Sequence, residues 1–248
     1  MDIRSEVEGR SVRNFSWRRL PQESLSESII AQVRQELFSG KLRAGDYLGT
    51  EASLSQSFGV SRAAMRDAVR ALHGSGVIES RRGNGGGIRI AHGDPDRFAD
   101  ALAIQLKLVG VSMKEIVDAH ITIETAAAEL AATRATDADL ERLRNHFKDL
   151  RESVKNRNLA GYIDHLMAFH LTLARASHNR ALSTLLQGYF GVLEDFYRGR
   201  ASHAAGRRVV LYLGKILRAL KARDRERTRT YMLCLFRPLA SFEDRAGR

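Results

Sequence analysis

The chain has 248 residues, enough for two ordinary domains, and 44% of them are hydrophobic, enough to build a core in each. Forty Lys and Arg against 29 Asp and Glu give a formal net charge of +11, which favours a polyanionic partner such as nucleic acid. A single cysteine, Cys234, excludes an intramolecular disulfide framework, and no stretch reaches the roughly 18 uninterrupted apolar residues of a spanning helix, so a soluble cytoplasmic protein without a membrane partner is expected.

Residues 1–22 carry Arg4, Arg10, Arg13, Arg18 and Arg19 with little apolar periodicity and close on Pro21. They read as a basic arm, either a solubilising tail or a contact to phosphates or the minor groove. The excess of charge does not itself place a binding domain, since residues 1–92 hold 14 Lys and Arg against 10 Asp and Glu and the remainder 26 against 19.

A first domain is expected over 23–92. Ile29, Ile30, Val33, Leu37 and Phe38 recur at helical spacing until Ser39-Gly40 closes the run. Thr50 can cap a short helix that carries Ala52 and Leu54 and turns Ser55, Gln56 and Ser57 outward. Gly59-Val60 then makes a turn. Ser61 caps a second helix whose stripe of Ala64, Met65, Ala68, Val69 and Leu72 is buried, with Arg62, Arg66 and Arg70 on the opposite open face. A short helix, a glycine turn and a second helix with outward arginines make a helix-turn-helix pattern. Val77 to Ser80 and Ile88 to Ile90 read as two strands joined by Arg81-Arg82-Gly83-Asn84-Gly85-Gly86-Gly87, a hairpin wing. That glycine run lacks Gly-Lys-Ser/Thr and the G-x-G-x-x-G spacing of nucleotide loops.

Beyond Gly93-Asp94-Pro95 strand signals vanish. Amphipathic helices are predicted over 95–108, 112–134, 137–156, 158–177, 179–199, 203–221 and 224–238, giving an all-α bundle over 95–240 with no internal repeat. Cys234 falls in an apolar helical stretch and reads as a buried, inert thiol. The fold class is thus mainly α: a winged helix-turn-helix followed by a helical effector domain.

At this point a resemblance emerges. Thr50-Glu51, Leu54, Phe58 to Arg62, Met65 to Ala68, Leu72, Gly76 to Ile78 and the glycine wing resemble the DNA-binding domain of GntR-family bacterial regulators. Ile123-Glu124 to Ala132, Phe169-His170, Ser177 to Asn179 and Ile216 to Asp224 are similar to the FadR-type, or FCD, ligand-binding domain. The resemblance implies a homodimeric transcription factor, a repressor or an activator with repression the expected sign, binding double-stranded operator DNA under the control of a small molecule. Ser61, Arg62, Arg66 and Thr50 would then stand at the major groove and Arg82 and Gly83 at the minor groove. Arginine is also the usual bidentate partner of guanine O6 and N7. Where the family often offers another arginine in the helix before the turn, this chain has Ala52.

A second departure concerns metal. By the resemblance, an Asp four residues before His170 and two later histidines would join it around a divalent ion. These positions are Leu166, Leu213 and Leu235, and leucine cannot coordinate a metal. No metal and no cofactor are therefore expected. The three leucines predict an apolar effector chamber for a hydrophobic ligand, with His120, Glu124 and His170 as its polar fixers; the alternative is that His120 and His170 are ordinary hydrogen-bonded core residues. Two other readings compete. A helical metal-dependent enzyme would need a nucleophile with its base, or an intact metal set, and neither H-E-x-x-H nor G-x-S-x-G occurs, so no catalytic residue is assigned. A DNA-binding protein tolerant of sequence and without effector would give no defined operator footprint.

Overall fold

A computed structural model describes residues 25–81, 83 and 86–240. The chain divides into two compact units with the boundary between Gly93 and Asp94. Arg82 and the basic arm over 1–22 lie outside the described residues.

The first unit runs α1 (Leu25–Phe38), β1 (Tyr47–Gly49), α2 (Glu51–Ser57), α3 (Arg62–Gly74), β2 (Ile78–Arg81) and β3 (Gly87–Ile90). Ile29 and Val33 of α1 and Met65, Ala68, Val69 and Leu72 of α3 bury themselves against Ile78, Ile88 and Ile90 of the sheet. Phe38, expected in that stripe, is instead 83% exposed. It follows Ile29 by nine residues, which at about 100° per residue points it to the opposite side of the helix. Ser55, which its polarity predicts on the outer face, is buried. Its hydroxyl donates to the Val60 carbonyl at 2.6 Å, and its own carbonyl accepts from the Val60 N–H at 3.0 Å, so it staples the turn between α2 and α3 from inside.

The sheet has three antiparallel strands in the order β1-β3-β2, where a two-stranded hairpin is predicted. Strand β1, only three residues long, shows no alternation by which sequence could betray it. It pairs Tyr47 with Arg89 and Gly49 with Ile88, while β2 pairs Arg81 with Gly87. One glycine of the wing is fixed by this packing. Gly87 sits at φ +144°, and a Cβ there would lie 2.9 Å from the Gly49 carbonyl oxygen and 2.5 Å from Tyr47 Cε2.

Among the described residues the second unit has seven helices: α4 (Pro95–Val109), α5 (Met113–Arg134), α6 (Asp137–Lys155), α7 (Leu159–Ala176), α8 (Arg180–Arg200), α9 (His203–Lys221) and α10 (Arg225–Ala240). The predicted helices agree with these to within about two residues. Six of the seven begin on a side-chain cap that satisfies otherwise orphaned N–H groups: Asp94, Ser112, Thr136, Asn158, Asn179 and Ser202. Ser112 with Glu115 and Thr136 with Asp139 form reciprocal capping boxes.

Leu143, Leu150, Phe169, Leu173, Leu213, Ile216, Leu220 and Met232 are almost wholly buried in the bundle core. Helix α5 is covered along much of its length. It buries Ile116, Val117, Ala127, Ala128, Ala131 and Ala132, and also the polar His120 and Glu124. Cys234, expected to be buried, is half-buried on α10, between the buried Met232 and Leu235 and beside the exposed Leu233.

Candidate functional site

In the first unit the structure brings the predicted polar residues to one end of α3. Ser61 caps that helix through Ala64 N at 3.2 Å, which places Arg62 in its first turn. Thr50 caps α2 through Ser53 N at 3.1 Å. Both hydroxyls therefore carry a structural task whatever else they touch. Arg62, Arg66 and Arg70 are exposed, as their spacing opposite Met65, Ala68 and Val69 requires. Arg66 faces Glu51 of α2, with Nε to Oε2 at 3.6 Å, a pairing that sequence reading missed. Arg70 faces Asp67 at 3.8 Å. Gly83 has φ +100° with open space around it, and Arg81 pairs with Glu79 at 3.0 Å. Exposed guanidinium groups along one helix, beside a short sheet, form a surface suited to a phosphate-lined groove.

In the second unit the predicted polar trio assembles in the interior. Glu124 Oε1 meets His170 Nδ1 in a short contact, and Glu124 Oε2 lies 3.2 Å from His120 Nε2. The second approach has ion-pair distance but not hydrogen-bond geometry, so among the described residues Oε2 has no hydrogen-bond partner, nor has His120 Nδ1. Tyr197 Oη lies 3.0 Å from His120 Nε2. Aromatic rings enclose the group. His120 meets Phe190 and Phe236 edge-on at 5.5 and 5.3 Å, and His170 stacks on Phe236 at 5.8 Å. Burial, against the pull of the Glu124 charge, holds the His120 imidazole down at about 4, and burial pushes the Tyr197 phenol well above its ordinary range.

Beside this network lies a cavity of about 100 Å³ between α7, α8, α9 and α10. Leu166, His170 and Leu235 line it. Leu213, His120 and Glu124 do not: Leu213 is packed into the core, and His120 and Glu124 stand one layer back, behind His170, Tyr197 and Phe236. The lining that sequence reading missed includes Tyr162, Tyr197, Arg200, Arg208 and Phe236. These residues come from four helices, and only Tyr197 and Arg200, three residues apart on α8, are related by spacing along the chain.

Arg208 has an evident structural partner. Pro238 lies inside α10 and has no N–H to offer the carbonyl four residues earlier, that of Cys234. Arg208 Nη2 donates to that carbonyl in a short contact. The residues present do not fit a metal. His170 Nδ1 is engaged by Glu124, Leu166 and Leu235 offer no donor, and among the described residues no three His, Cys, Asp or Glu side chains converge on one point.

Comparison with known proteins places both units. Residues 25–88 match the model of the bacterial regulatory proteins of the gntR family, and residues 115–237 match the FCD domain. The chain is 31% identical over 160 residues to the HTH-type transcriptional regulator LutR of Bacillus subtilis (strain 168), covering 64% of this chain and 71% of LutR. The chain belongs to the gntR family. It is a transcriptional regulator with an FCD domain, and not an enzyme.

This regulator is also 34% identical over 176 residues to the candidate L-lactate dehydrogenase operon regulatory protein of Escherichia coli (strain K12), spanning 69% of the chain and 66% of that relative. Among solved structures, Streptococcus agalactiae GntR superposes with a TM-score of 0.61 at 21% identity, covering 87% of this chain and 98% of that one, which supports the fold. Regulators of the gntR family bind operator DNA, and FCD domains bind small-molecule effectors. Among the described residues no helix is long and apolar enough to cross a membrane.

Proposed function

We propose that this regulator is a cytoplasmic homodimeric repressor that holds a pseudo-palindromic operator through Arg62 and Arg66 and releases it when a small, mainly apolar effector enters the α7–α10 cavity. The observation that carries the effector reading is the cavity wall. Leu166 and Leu235 face it at two positions where the family resemblance implies metal ligands, so burial of apolar area, at roughly 25 cal/mol per Å², replaces coordination as the source of affinity. One recognition helix reads only a few base pairs, and two-fold symmetry doubles the interface. Occupation of a promoter by such a dimer would exclude polymerase, which is why repression is the sign proposed. For a tenfold release of DNA the effector must favour one arrangement of the bundle by about 1.4 kcal/mol.

The test is a gel-shift titration of the full-length protein on its operator with panels of apolar and of small polar molecules, alongside gel filtration and elemental analysis. The expected result is a dimer without stoichiometric metal, released from DNA by members of the apolar panel. A tightly bound metal lost on His170→Ala, or a response to polar hydroxy acids alone, would overturn the reading.

A further inference from the structure

Helices α5 and α10 leave between them a surface groove of about 490 Å³ that shares no lining residue with the cavity between α7, α8, α9 and α10. Its polar end is built around Glu129, a buried carboxylate of α5. Glu129 Oε2 accepts from Arg225 Nε at 2.9 Å, and Oε1 accepts from Arg229 Nη1 at 3.0 Å. Among the described residues neither arginine has another carboxylate within ion-pair distance, so the trio keeps one positive charge in excess.

These arginines differ from ordinary surface arginines in being held. They stand one turn apart on α10, with Cβ atoms about 5–6 Å apart, and Glu129 fixes both from inside, so much of their side-chain freedom is given up before any ligand arrives. Each guanidinium has five N–H donors, more than the contacts to Glu129 use, and the two side chains are 60% and 55% exposed. Thr125, one turn before Glu129 on α5, is buried, and its Oγ1 has no hydrogen-bond partner among the described residues. Threonine in a helix has two accessible χ1 wells, so rotation about one bond turns this hydroxyl toward the groove that the residue lines. Leu233, one turn beyond Arg229, is 46% exposed, and with Ile121 it makes the rest of the groove apolar.

We infer that the α5–α10 groove binds a small phosphomonoester, its phosphate held by Arg225 and Arg229 and its organic body lying along Thr125, Ile121 and Leu233. A planar carboxylate is satisfied by one fork. A phosphate monoester is tetrahedral, offers three terminal oxygens and carries close to two charges at pH 7, so it takes donors from two forks that reach it from different directions. The excess positive charge also draws a dianion more strongly than the singly charged phosphodiester of a DNA backbone. The site is separate from the effector cavity and does not depend on it. Helix α10 lends Leu235 and Phe236 to that cavity and Arg229 and Leu233 to the groove, so the phosphomonoester is a second input to the same helix.

The experiment measures binding of phenyl phosphate, inorganic phosphate and benzyl alcohol to the full-length protein by calorimetry, in wild type, Arg229→Gln, Arg229→Lys and Thr125→Val, with thermal unfolding of each variant. Wild type is expected to bind phenyl phosphate more tightly than either fragment. Arg229→Gln, whose amide can still donate to Glu129, should weaken phenyl phosphate by about 10- to 100-fold, the usual worth of a hydrogen bond to a charged group, and Arg229→Lys should restore part of the loss. Thr125→Val should weaken it by about 3- to 10-fold while raising the melting temperature, because a buried hydroxyl without a partner has gone; a merely structural threonine would move the melting temperature alone. The salt dependence of DNA binding should be the same in Arg229→Gln as in wild type, and a slope lower by about 1 would hand the groove to backbone phosphate and overturn the small ligand. Failure of wild type to bind phenyl phosphate would overturn the site. Equal binding of benzyl alcohol would overturn the role of the phosphate, and equal binding of inorganic phosphate that of the organic body. An affinity unchanged in both Arg229→Gln and Thr125→Val would overturn the assignment to this groove.

Discussion

Glu124 and His170, 46 residues apart on α5 and α7, meet in the interior of the bundle through Oε1 and Nδ1, with the glutamate wholly buried. A buried carboxylate is tolerable only while something answers it. His170→Leu removes the group that, among the described residues, does so with a hydrogen bond, and it should cost about 3–5 kcal/mol. Glu124→Gln keeps an oxygen for the imidazole and should cost about 1 kcal/mol. The double change Glu124→Leu/His170→Leu should recover much of the loss of the single histidine variant. Urea unfolding checks the order, and a double variant weaker than His170→Leu would contradict it.

His120 supplies a pH dependence of definite sign. Its folded value of about 4 lies below the ordinary 6.5, because burial strips the imidazole of water. Between those values the unfolded chain binds a proton that the folded chain refuses. The stability linked to His120 is thus complete above about pH 6.5 and is lost as pH falls toward 4, by about 3 kcal/mol in all. The urea midpoint of wild type should drop more steeply from pH 7 to 4.5 than that of His120→Phe. Parallel curves would show that His120 does not set this window.

The wing offers a contrast between two glycines. Gly87→Ala should cost about 3 kcal/mol or more, since the new methyl meets Tyr47 and the Gly49 carbonyl in a backbone conformation foreign to alanine. Gly83→Ala, at φ +100° in open space, should cost about 1 kcal/mol from backbone strain alone. Thermal unfolding of the isolated change at each site distinguishes them.

Arg66→Ala should lower affinity for the operator by about 1–3 kcal/mol while leaving binding to random DNA nearly intact. Glu51, 3.6 Å from Arg66, is half-exposed, and such pairs contribute less than about 1 kcal/mol. Glu51→Gln should therefore strengthen binding to both DNAs alike, by removing a negative charge. Competition gel shifts give both ratios. An operator preference indifferent to Arg66→Ala would remove α3 from its proposed role.

What sequence revealed and what it hid divide along physical lines. Period and capping are local, so Ser61 announced its helix and Met65, Ala68 and Leu72 their buried stripe. Strand β1 is too short to show a period. Ser55 looks like a surface residue until the turn folds back on it. At the cavity, Leu166, His170 and Leu235 were legible through resemblance, whereas Arg200, Arg208 and Tyr197 come together only in three dimensions. Arg208 is the clearest case, because its nearest partner, Cys234, is 26 residues away on another helix.

The caps on α4 to α9 also bear on how such a domain changes over generations. Because Asp94, Ser112, Thr136, Asn158, Asn179 and Ser202 fix where each helix starts by contacts with its own first turn, helix starts owe little to interior residues such as Leu166 and Leu235. Frame and contents are specified separately. A chamber built this way can exchange coordinating residues for hydrocarbon, or one guanidinium for another, by single substitutions that leave every helix start in place. New chemical preferences can therefore arise without a passage through unfolded intermediates.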